Sequence, residues 1–183
     1  ELIYYSSVEE AILNSPLNAE NEEFSVPEDF LNHVDEILHI WNGKQYDTIF
    51  YRAGSDNDPV QGFVIARCKK QVEEASVQYA FMNATPVTTK ADSILISDIT
   101  ELIRSSLKLS DFQQDLNPNY PDTRFVFGYA HDKEIYSLEV EGQKPDGVIE
   151  INVYDRTMYL WYYDDLKSDK RGNNLSYSVD VPE

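Results

Sequence analysis

The chain of 183 residues contains one cysteine, Cys68, which excludes an intrachain disulfide and a cysteine-rich metal cluster. Its seven glycines fall in neither the Gly-x-x-x-x-Gly-Lys nor the Gly-x-Gly-x-x-Gly spacing, so the usual phosphate-cradling loops are missing. No run approaches the roughly 18 apolar residues that cross a bilayer as a helix. Basic residues are absent before Lys44, while Glu1, Glu9, Glu10, Glu20, Glu22, Glu23, Glu28, Asp29, Asp35 and Glu36 place ten acids there. Over the whole chain 15 Lys and Arg stand against 33 Asp and Glu, a net charge of −18. Such a field repels phosphate backbones and anionic headgroups, which argues against nucleic acid and favours a basic partner or bound cations. The plainer reading is that the acidity serves solubility.

What is present is a folding composition, with 42% apolar and 13% aromatic residues, enough for one sizeable domain or two small ones. Ser7 and Glu10 have capping-box spacing, and Val8, Ala11 and Ile12 follow at helical intervals, so a short helix is expected over about 7–15. Residues 17–26 read as an acidic loop, and Pro27, Glu28 and Asp29 offer one further helical turn. Asn42-Gly43 is the strongest hairpin signal, because a type I′ turn needs positive φ at both central residues. It predicts pairing of 36–41 with 44–52, Trp41 facing Lys44 and His39 facing Tyr46. Strands at 62–69 and 76–82 complete a four-stranded antiparallel meander. From 83 to 124 the strand pattern stops, and Ile99, Leu102, Ile103 and Leu107 predict a helix over 98–109 capped by Ser97 or Asp98.

Prolines and amides at 113–122 mark a boundary. Beyond it, alternation predicts strands at 125–130, 135–141, 148–154, 157–163 and 175–181. The fold class expected is therefore strand-rich α+β: an acidic N-terminal subdomain over 1–112, a linker at 113–123, and a C-terminal subdomain over 124–183. In the last, the five strands form one antiparallel sheet or a small β-sandwich. The strand 157–163 is apolar on both faces, with Tyr159, Trp161 and Tyr163 on one and Met158, Leu160 and Tyr162 on the other. It is either the covered centre of a sheet or a partner-binding stripe, and Tyr159, Trp161 and Tyr163 are the candidate contact residues.

Catalytic signatures are sparse. His33, His39 and His131 lie in unrelated contexts and suggest no metal site. The oxygens of Asp56, Asn57 and Asp58 lack the ligand ladder of a calcium loop and read as a turn. Cys68 shares a strand face with Val64 and Ala66, as a small core residue does. Asp164 and Asp165 sit beside the aromatic strand, but adjacent strand residues point apart and do not form a glycosidase pair without a turn. No metal or other cofactor is implied.

Phe125-Val-Phe-Gly-Tyr-Ala130, Ile135-Tyr-Ser-Leu-Glu-Val-Glu-Gly142 and Tyr159-Leu-Trp-Tyr-Tyr163 together resemble the C-terminal part of uncharacterised small secreted or lipid-anchored proteins of Gram-positive bacteria. The resemblance spans about 124–181, rests on strand texture, and carries over no functional residues. It implies an extracytoplasmic, membrane-tethered accessory domain; the lone Cys68 is internal and is not a lipid-attachment site, so any anchor would precede Glu1. The expected function is a non-enzymatic binding domain that contacts a protein through its acidic surface or aromatic strand. The alternatives are a cell-wall carbohydrate-active enzyme using Asp164 or Asp165, and an acidic inhibitor or immunity-type protein directed at a basic one.

Overall fold

The computed structural model describes residues 1–15, 30–54, 58, 60–90, 98–115 and 124–182. The fold is strand-rich α+β and divides into two compact units, Glu1–Ile94 and Leu95–Glu183. The division lies upstream of the boundary expected at 113–123, so the long helix belongs with the C-terminal strands. The helical turn expected at Pro27, the loop at 17–26 and the Asp56-Asn57 part of the acidic turn lie outside the described residues.

The first unit is the meander. Helix α1 (Val8–Leu13) starts where the Ser7 hydroxyl accepts the Glu10 N–H at 3.1 Å; the Glu10 carboxylate reaches back to the Ser6 N–H and hydroxyl. Strands β1 (Glu36–Asn42), β2 (Tyr46–Ala53), β3 (Val60–Glu73) and β4 (Ser76–Lys90) pair in chain order, all antiparallel. Val8, Ala11 and Ile12 of α1 bury with Phe30 and Leu31 against Ile49, Tyr51, Val64, Ala66 and Cys68. Each fully buried aliphatic side chain there contributes about 1.5–3 kcal/mol. The Tyr51 hydroxyl donates to the Leu31 carbonyl, closing the layer from within.

The first hairpin departs from the expected register. Trp41 pairs with Thr48, His39 with Phe50 and Ile40 with Ile49, four residues along β2 from the pairing that an Asn42-Gly43 turn requires. Neither Asn42 nor Gly43 is at positive φ, so the type I′ turn is not used. A wider loop forms, in which the Gly43 N–H donates to the Tyr46 carbonyl (3.0 Å) and to Asp47 Oδ1 (3.2 Å). Asp47, buried to 2% exposure, also pairs with Lys70 Nζ at 2.9 Å, and Lys70 donates to the Gly43 carbonyl. This knot outweighs the local turn preference, and a shift of four keeps most side chains on their expected faces. Ile37 is the exception: the irregularity between Ile37 and His39 brings it opposite Tyr51. β4 continues through 83–90, where no strand was expected. Thr85 and Val87 are good strand residues, and Pro86 is tolerated because β4 is an edge strand.

In the second unit, α2 (Ile99–Asp115) begins where Asp98 Oδ1 accepts from the Thr100 N–H at 2.9 Å, and it extends six residues past its expected end. Strands β5 (Val126–Ala130), β7 (Gly147–Val153) and β8 (Arg156–Tyr163) form a sheet in the order β5-β8-β7, while β6 (Glu139–Val140) pairs with β9 (Tyr177–Ser178) in a second, two-stranded sheet. The five C-terminal strands are thus split three and two instead of joining in one sheet. The first three residues of the strand expected at 135–141 belong to a 3-10 helix, Lys133–Ser137, and only Glu139 and Val140 are strand. Ile135 and Leu138, three apart, fall on one side of such a turn, and both are fully buried. Likewise the strand expected over 175–181 contracts to two residues.

β8 is the central strand. Tyr159, Trp161 and Tyr163 pack in one cluster with Ile99, Ile103 and Leu107 of α2, at 9%, 0% and 2% exposure. Met158 and Leu160 on the opposite face are buried as well. The flanking edge strands each set a glycine against an aromatic of β8: Gly128 is opposite Trp161 and Gly147 opposite Tyr162.

Candidate functional site

The residues expected to bind a partner are brought together, but in the core. Tyr163 donates its hydroxyl to the Gln143 carbonyl (2.8 Å) and accepts the Val140 N–H (3.1 Å), and burial pushes its pKa up. The Trp161 ring meets Tyr163 edge-on at 6.1 Å. The surface reading of the 159–163 stripe therefore gives way to the core reading, because α2 covers the face that a partner would need. Tyr159 adjoins an open feature.

That feature is a shallow depression of ≈ 480 Å³ lined by Lys133, Glu134, Tyr136, Ser137, Glu150, Tyr159 and Asp180. The 3-10 helix turns Ile135 inward and so turns Tyr136 out, leaving it 51% exposed. Its ring stands edge-on to Tyr159 at 5.6 Å, and its hydroxyl donates to Glu150 Oε1 at 2.8 Å. Glu150 is the register partner of Tyr159 across β7 and β8, so the sheet itself sets the carboxylate beside both rings. The tail is held there too: the Asp180 N–H donates to Ser137 Oγ at 2.8 Å, and that hydroxyl caps the 3-10 turn through the Glu134 carbonyl.

The charges are predominantly negative, with Glu134, Glu150 and Asp180 lining the depression against Lys133. The hydrogen bond to Glu150 raises the Tyr136 pKa, with burial and the Glu150 charge adding to it. Tyr159 is raised by burial and then by the charges of Glu150, Glu134 and Asp132. Both phenols are neutral hydrogen-bonding groups, and the half-exposed Tyr136 ring lies in a field that favours a cation. In a strand over 135–141, alternation puts Tyr136 with Leu138 and Val140 on the apolar face. The signal that locates it correctly is the three-residue spacing of Ile135 and Leu138 after the turn residues His131 and Asp132.

The remaining candidates have structural roles. Asp165 Oδ1 accepts the Arg124 N–H at 3.0 Å and Oδ2 pairs with Lys167; burial resists ionisation, but the Lys167 hydrogen bond, the Arg124 N–H and the Lys167 charge prevail and hold its pKa low. A carboxyl kept ionised in this way does not serve as a general acid near neutrality. The Asp164 N–H donates to Asp146 Oδ2 at 2.7 Å. Cys68 is fully buried, and burial followed by the Asp47 charge pushes its thiol up to about 12. His33 pairs with Asp35 at 2.8 Å, and His131, its pKa lowered by burial, meets Tyr129 edge-on at 5.9 Å. Among the described residues no three His, Cys, Asp or Glu side chains group as metal ligands, and no helix is long and apolar enough to cross a membrane.

The chain matches no family model, no curated protein and no solved structure.

Proposed function

We propose that this chain is a non-enzymatic binding module that engages a basic segment of a protein partner at the Tyr136 depression. The observation that carries the reading is the half-exposed Tyr136 ring, braced by Tyr159 and bordered by Glu134, Glu150 and Asp180. An Arg or Lys head placed on that ring gains about 0.5–1 kcal/mol from the aromatic face. An adjacent carboxylate adds about 1–4 kcal/mol before desolvation is subtracted. The net charge of −18 steers a cationic partner toward the molecule over a longer range. An extracytoplasmic, membrane-tethered setting belongs to the same proposal, as does the variant in which the partner is a basic protein held inactive.

Titration with a hexa-arginine peptide at low salt, followed by calorimetry, tests the reading. Tyr136→Ala is expected to weaken binding about two- to fivefold and Glu150→Gln about threefold, with the fold intact by circular dichroism. Equal affinity in wild type and Tyr136→Ala overturns it and leaves only diffuse charge attraction.

A further inference from the structure

We draw no further inference here: the strongest candidate, the solvent-exposed Val72–Val77 pair at the tip of the β3–β4 hairpin, carries nothing because no feature of the structure shows what covers it.

Discussion

The indole of Trp161 occupies the volume that a side chain at Gly128 would need. A Cβ built on Gly128 would stand 2.4 Å from Trp161 Cζ2 and 2.5 Å from Ser106 Oγ of α2. Gly147 has the same relation to Tyr162, whose hydroxyl would lie 2.4 Å away. Both glycines sit on edge strands and both are covered by the aromatic directly across the ladder, a known remedy for glycine in a sheet.

The two sites are predicted to differ in tolerance. Trp161 is held on all sides, so Gly128→Ala is expected to destabilise the second unit by about 2–3 kcal/mol, despite the usual gain from replacing a strand glycine. Tyr162 is partly exposed and contacts Gly147 through the far end of its ring, so Gly147→Ala is expected to cost about 1 kcal/mol or less. Urea midpoints at unchanged m-value check both, and equal losses would refute the distinction.

Acid is expected to loosen the junction of β6 and β9 through Glu141. Its carboxylate accepts the N–H of Ser176, and this bond, with the Ser176 hydroxyl (2.9 Å) and Lys170 (3.1 Å), outweighs burial and lowers its pKa from 4.5 to about 2. A folded-state pKa below the unfolded one means that the contribution is complete above pH 4.5 and fades as pH falls from there to about 2. Glu141→Gln should flatten that part of the stability profile. An identical acid slope in wild type and variant would assign the slope to other carboxylates.

Asp47 should prove more sensitive than an ordinary turn residue. Removing it in Asp47→Ala takes the carboxylate from the Lys70 ammonium, at 18% side-chain exposure, and leaves the Gly43 N–H with the Tyr46 carbonyl as its acceptor, for an expected loss of about 2–3 kcal/mol. Asp47→Asn keeps an acceptor for Gly43 and is expected to lose about half as much. Chemical denaturation of the two variants beside Lys70→Met separates charge from packing; equal losses for Ala and Asn would show that Gly43 takes nothing from this side chain.

A gain is expected at the β7–β8 turn. Tyr154 and Asp155 both lie at positive φ, +52° and +58°, between the paired Val153 and Arg156, the backbone pattern of a type I′ hairpin. Exposed Asp155 replaced by Gly should stabilise the protein by about 0.5–1 kcal/mol, read as a raised melting temperature. No change would indicate that Asp155 carries little strain.

What the sequence revealed and what it hid follow from how local each determinant is. The Ser7 cap, the Ile99–Ile103–Leu107 stripe of α2 and the meander were legible because each is set by neighbours in the chain. The hairpin register was not, since Asp47 finds Lys70 more than twenty residues away. A tight turn forms at Tyr154-Asp155, one residue before the Asp155-Arg156 position that the alternation of the flanking strands suggests, while the type I′ turn signalled by Asn42-Gly43 is not used. Tyr136 was hidden for the converse reason: a 3-10 turn and a short strand share enough alternation that only the burial of Ile135 and Leu138 tells them apart.

The order of pairing also has a bearing on synthesis. In the first unit each strand pairs with the next, so the meander can close hairpin by hairpin as the chain emerges. In the second unit β6 waits for β9, and the core is incomplete until Leu175 arrives. On the ribosome, the first unit has its partners at hand while the second remains open to proteases and to wrong neighbours until residues 175–178 have cleared the exit tunnel.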